Sequence, residues 1–177
     1  SGANAGLTPE DVRAASPIIQ HADAVLCQLE TPLEGTREAF RLARAGAKLT
    51  VLTPAPVTTL PEELLRLCDL CVPNRTEIEV LASCSVDNVD HAHSAAAALR
   101  ARGVRSVAVT MGDSGAFLLD DSGAHHISGV GLEGDVVGSP ELHELPAGGV
   151  LGEGAAVTLP DEVVPGDVVD RARCVVG

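Results

Sequence analysis

The chain has 177 residues, 45% of them apolar but only 1% aromatic. That allows one domain whose core is built from Ala, Val, Leu and Ile. The formal net charge of -13 argues against nucleic acid and anionic membrane surfaces as partners. No apolar run approaches the roughly 20 residues that span a bilayer, and no secretory leader is recognisable, so a cytoplasmic setting is expected.

Thr8-Pro9-Glu10-Asp11 opens a helix, with a Thr cap, Pro at the first helical position and acids in the first turn. That helix is expected to run to about His21. Ala24 to Gln28 reads as a short apolar strand. Thr31-Pro32 starts a second helix with Leu33, Thr36, Phe40 and Ala43 on one face, stopped by Gly46. Lys48 to Leu52 is the next strand, followed by the rigid loop Thr53-Pro54-Ala55-Pro56. Pro61-Glu62-Glu63 begins a short helix, and Leu70 to Val72 is a third strand. Asn74 caps a helix that ends near Ser83, with Glu77 at the capping-box position. Asp90 to Arg102 is an Ala-rich helix closed by Gly103. Ser106 to Thr110 is a fourth strand. Met111 to Gly115 is a glycine turn, Ala116 to Leu119 a fifth strand, and Ala124 to Ile127 returns from a hairpin at Asp121-Ser122-Gly123.

Strands alternating with crossover helices predict an α/β fold: three layers, α-β-α, around a mostly parallel Rossmann-like sheet. Residues 1–127 form its core. Residues 128–177 hold ten of the 18 glycines and no clear helix, and are expected to be a poorly structured, glycine-rich tail, β or loop in part.

In parallel sheets of this kind ligands bind at the carboxyl ends of the strands. Glu30, Thr53, Asn74, Glu77 and the Gly112–Gly115 turn all lie just past such ends. A helix N-terminus with an amide and a carboxylate suits phosphate and its metal ion. The same residues have plainer readings: Asn74 and Glu77 as a cap alone, Glu30 as a solvated loop acid, Thr110 to Gly115 as an ordinary strand turn. Cys68-x-x-Cys71 raises zinc or redox chemistry, but no second ligand pair follows at zinc spacing, and His91 and His93 are too close together to supply one. The five cysteines fit free thiols of a reducing compartment better than a disulfide framework.

Taken in order, these stretches resemble the ribokinase, or PfkB, family of carbohydrate kinases. Gly2-Ala3-Asn4, Gln28-Leu29-Glu30-Thr31-Pro32, Pro54-Ala55-Pro56, Pro73-Asn74-Arg75-Thr76-Glu77 and Thr110-Met111-Gly112-Asp113-Ser114-Gly115 carry the likeness, which covers residues 1 to about 127. It implies a ribokinase-like fold and phosphoryl transfer from ATP to a sugar hydroxyl, with ribose favoured. Asn74, Thr110, Gly112, Asp113 and Gly115 would bind the nucleotide. Glu77 would act on Mg2+ through its water shell, and Glu30 would hold sugar hydroxyls. Thr53 stands where the family has Asn, and Arg75 where an acid is common. The family's Gly-Ala-Gly-Asp run, which supplies the base and an anion hole, has no clear match. Asp170, beside Arg171-Ala172-Arg173, and Asp167, after Gly166, are the nearest candidates for the base.

Beginning without Met at Ser1, the chain is expected to be the later part of something longer, or a processed or truncated product, without the family's first half and lid. Its oligomeric state is therefore left open. An altered reading frame would account for the divergent tail. Impaired turnover is expected, with a catalytically inactive chain that retains at most nucleotide binding as the alternative.

Overall fold

In a computed structural model the described residues are 3–129 and the two-residue strand Cys174–Val175. Six α-helices and seven strands occur among them: α1 Pro9–Ala14, α2 Ser16–His21, β1 Ala24–Cys27, α3 Leu33–Ala45, β2 Leu49–Leu52, α4 Glu62–Arg66, β3 Leu70–Cys71, α5 Arg75–Ala82, α6 Val89–Ala101, β4 Ser106–Thr110, β5 Ala116–Leu119, β6 Ala124–Ile127 and β7 Cys174–Val175. The sheet runs β6-β5-β4-β3-β2-β1-β7. Strands β1 to β4 and β7 pair in parallel, and β5 and β6 add an antiparallel ribbon to β4. This is the α/β, mostly parallel arrangement that the alternation of elements predicts. Of the tail, residues 128 and 129 and the strand β7, which pairs with β1, are described; the rest of the tail expectation, and with it Asp167 and Asp170, lies outside the described residues.

Helix-length crossovers follow from the parallel pairs, since a parallel neighbour cannot be reached by a tight turn. α3 packs on β1 and β2, α6 on β4 and β5, and α5 on β4 and α6. The stripe Thr36, Ala39, Phe40 and Ala43 of α3 is buried. Both Phe residues, Phe40 and Phe117, sit in the core with Leu52, Leu64, Leu65, Ile78, Leu99, Val107 and Val109. The small core is filled by aliphatic side chains, as the composition requires.

One local expectation is corrected. The first helix does not run unbroken to His21 but ends at Ala14, and α2 begins at Ser16. Pro17 has no N–H to donate to the preceding turn, and its ring would clash with the carbonyl four residues back. α3 ends at Gly46 as expected, its C-cap. Gly46 has φ -91, while Ala47 takes the left-handed value φ +54. Lys48 N donates to Ala43 O at 2.9 Å and Ala47 N to Arg44 O at 3.1 Å, a Schellman closure with Ala where Gly belongs. Ala47→Gly is expected to raise unfolding stability by about 1 kcal/mol, measured as a higher urea midpoint with unchanged slope.

Charged pairs tie the helices together. Glu38 of α3 is buried and accepts from Arg41 at 2.8 and 2.9 Å and from Arg13 of α1 at 2.9 Å. The Arg41 guanidinium, with Arg13 assisting, outweighs burial and holds the Glu38 carboxyl down at about 2. At the amino-terminal edge of β2 and β3, Asp69 is buried and its Oδ2 accepts from Thr50 N at 3.0 Å and Thr50 Oγ1 at 2.9 Å. Asp69 Oδ1 is paired with Arg44, and Thr50 Oγ1 also accepts from Asp69 N at 2.9 Å.

Candidate functional site

At the carboxyl edge of the sheet the loops after β3 and β4 stand side by side. Pro73 O accepts from Thr110 N at 3.0 Å, and Asn74 forms a parallel bridge with Thr110. These bonds extend the β3–β4 pairing by one step, which brings two separate sequence motifs into one place. Between them lies an open cleft of about 690 Å³, within the size range of small-molecule sites. Asn74, Arg75 and Thr76 line it from α5, and Thr110, Met111, Gly112, Asp113 and Ser114 from the loop after β4.

Each side has a local cause. Asn74 is the N-cap of α5 and takes part in a full capping box. Asn74 Oδ1 accepts from Glu77 N, Asn74 N donates to Glu77 Oε2, and Asn74 Nδ2 donates to Glu77 Oε1, each at 2.9 Å. The Asn side chain carries two amide hydrogens, so one is left for a ligand. Glu77 is half-buried and does not line the cleft. Both of its oxygens already accept, although each keeps a further lone pair.

The opposite side is a single 3-10 turn, Gly112–Ser114. Met111 N donates to Gly115 O at 2.8 Å, Ser114 N to Met111 O at 3.2 Å, and Gly115 N to Gly112 O at 2.8 Å. Gly112 N and Asp113 N make no backbone hydrogen bond among the described residues, leaving two donors at the cleft. Gly112 has φ +57, and a Cβ there would meet nothing within 4 Å. The space beside it is free for a ligand. Gly115 also has positive φ, +87, but does not line the cleft. A Cβ on it would collide with the Ile127 carbonyl and the backbone of residues 128 and 129. Its glycine serves a chain crossing.

Glu30 lies in a different hollow, of about 510 Å³, at the end of β1. Gln28, Thr31 and Asn4 line it along with Glu30, and Gly35 and Thr36 of α3 form another part. The two clefts share no lining residue. Their strands, β1 and β3, are two places apart in the sheet, roughly 10 Å. Thr53 joins the loops, its N donating to Cys27 O at 3.0 Å, and Leu29 N donates to Ala55 O at 2.9 Å.

Cys68 and Cys71 are buried in the core. Their mutual hydrogen bond, and then burial, push the Cys68 thiol upward, and burial pushes Cys27 up to about 11. A thiol held protonated, as Cys68 is, is a poor nucleophile, and both cysteines lie in the apolar core, so the zinc or redox reading of the pair gains no support. Among the described residues no group of three or more His, Cys, Asp and Glu is placed to hold a metal directly.

The sequence motifs led to Asn74, Thr110 and the turn Gly112 to Ser114 but missed Arg75, Thr76 and Met111 as cleft residues. They also missed Asn88, whose side chain caps α6 by accepting from His91 N at 2.9 Å. Asn before an Ala-rich run is itself a cap signal.

The sequence profile of the pfkB family carbohydrate kinases matches residues 1–139. The chain is 40% identical over 126 residues to a ribokinase of Staphylococcus aureus, covering 71% of this chain and 41% of that protein. It is 34% identical over 127 residues to a deoxyribokinase of Salmonella typhi, covering 71% and 42%. Its fold superposes on the structure of Arabidopsis thaliana ribokinase complexed with ribose and ATP, with a TM-score of 0.63 and 25% identity, over 65% of this chain and 38% of that one. The chain thus spans about two fifths of the length of these relatives.

Proposed function

Because the chain belongs to the pfkB family of carbohydrate kinases, we propose that it carries the nucleotide side of a site where ATP gives its terminal phosphoryl group to a sugar hydroxyl, ribose being favoured. The observation that supports this reading is the juxtaposition of an Asn74 amide hydrogen with the Gly112 and Asp113 N–H groups, all three without a partner among the described residues, around one cleft. Phosphoryl transfer is catalysed mainly by positioning and charge stabilisation, and fixed backbone donors supply both. In an acidic protein these dipoles attract phosphate without a cluster of cations.

Asn74, Thr110, Gly112 and Asp113 are assigned to the nucleotide, with Gly115 shaping the turn. Glu30, beside Gln28 and Asn4, is assigned to the sugar. Mg2+ fits only through water: Glu77 is one carboxylate already engaged in a cap, and Mg2+ keeps several waters with few carboxylates. When bound, the ion would screen the phosphate charge. The base is left unassigned, with Asp170 and Asp167 as the nearest candidates in the sequence. For this chain by itself the reading commits to nucleotide binding and to weak or absent sugar turnover; the full transfer reaction is assigned to a protein of the relatives' length.

Thermal-shift and calorimetric titration test the reading. MgATP is expected to raise the melting temperature of the wild type in a concentration-dependent way. Asn74→Ser keeps a good cap but removes the amide, and is expected to weaken MgATP about tenfold while leaving the ligand-free melting temperature nearly unchanged. A wild type that responds to neither ATP nor Mg2+ would overturn the assignment.

A further inference from the structure

The turn that offers the Gly112 and Asp113 amides is short and exposed, so something must hold it. The last residues of β6 and the two that follow do so at three successive places. His126, which pairs opposite Phe117 in the β5–β6 ribbon, places Nε2 3.0 Å from the Ser114 carbonyl oxygen. A carbonyl only accepts, so that nitrogen carries the hydrogen. Next, the Ile127 carbonyl and Gly129 N lie against Gly115 so closely that no Cβ fits there. Finally, Gly129 lies equally close to the Asp113 carbonyl.

The Ser114–Gly115 peptide is the centre of this interlock. At one end its N–H is bound to Gly112 O at 2.8 Å. At the other its carbonyl is bound by His126. Pinned at both ends, the unit cannot rotate, and the two preceding amides stay available to an anion in the cleft. The geometry points to His126 as a positioning residue for the nucleotide: it does not line the cleft and acts through the Ser114 carbonyl. This rests on reading the cleft as a nucleotide site. Nothing in the motif Thr110–Gly115 announces it, because His126 lies on a different strand.

Amide hydrogen exchange at Ser114 and Gly115, together with MgATP affinity, is measured for the wild type, His126→Ala and His126→Gln. In His126→Ala both amides are expected to exchange about fivefold faster and MgATP to bind about fivefold more weakly, the loss of one ordinary hydrogen bond. His126→Gln, whose side-chain amide also donates, is expected to recover most of both. Unchanged exchange in His126→Ala overturns the inference regardless of the nucleotide. Faster exchange with unchanged affinity overturns the link from turn to ligand. A wild type without affinity for MgATP overturns the nucleotide assignment instead, and the exchange result then decides alone whether His126 fixes the turn.

Discussion

Gly115→Ala is expected to destabilise the protein by about 3–5 kcal/mol, the largest effect of any substitution considered. Two costs add. The residue sits at φ +87, ψ -135, outside the region where an L side chain is comfortable. A methyl group there would also meet backbone, the Ile127 carbonyl and residues 128 and 129, which cannot move aside as a flexible side chain can. Gly123→Ala separates the two costs. That residue has φ +132 but open space around it, so only the backbone term of about 1–2 kcal/mol should appear. Urea unfolding of both variants measures the difference. Equal midpoints would show that the crossing over Gly115 relaxes without cost.

Asp69→Ala is expected to cost about 3 kcal/mol. Removing the carboxylate strands Thr50 N and leaves Arg44 without its partner. Asp69→Asn should fall only slightly short of that. Oδ1 and Oδ2 both accept, from Arg44 on one side and from two Thr50 donors on the other. An amide must turn its NH2 toward one of those donors. Denaturant unfolding of the two variants and of Thr50→Val checks the account, and Asp69→Asn with wild-type stability would refute it. This cluster lies at the edge of the sheet away from the cleft, so MgATP affinity should not change in a folded variant.

The sequence was most legible where one residue type has one physical role. Asn74 with Glu77 three places on marked the start of α5 to the residue. Apolar runs marked β1, β2 and β4, because parallel strands covered by helices lose the alternation of exposed ones. The break at Ala15 was missed because the Pro9 signal for a helix start outweighed Pro17 just inside the same run. Gly46 marked the end of α3, but the left-handed φ that closes it falls on the neighbouring Ala47, which no residue preference signals. Within the candidate site, the motifs located the cleft but not the reason for each residue. Gly112 and Gly115 look alike in the sequence, yet one borders open space and the other a crossing chain. That distinction depends on residues 127–129, more than ten positions away, and no local pattern contains it.

The two sides of the cleft grow from β3 and β4, which are neighbours in one sheet joined by Leu70↔Ser106, Cys71↔Val107 and the Asn74–Thr110 bridge. They are therefore not two bodies that swing about a hinge. Their separation is set by interstrand spacing, and it changes only if strand pairing breaks. A ligand between them meets a gap of fixed width and gives up little free energy to conformational search, the advantage of preorganisation. Between these two sides, discrimination must come from what fits the gap.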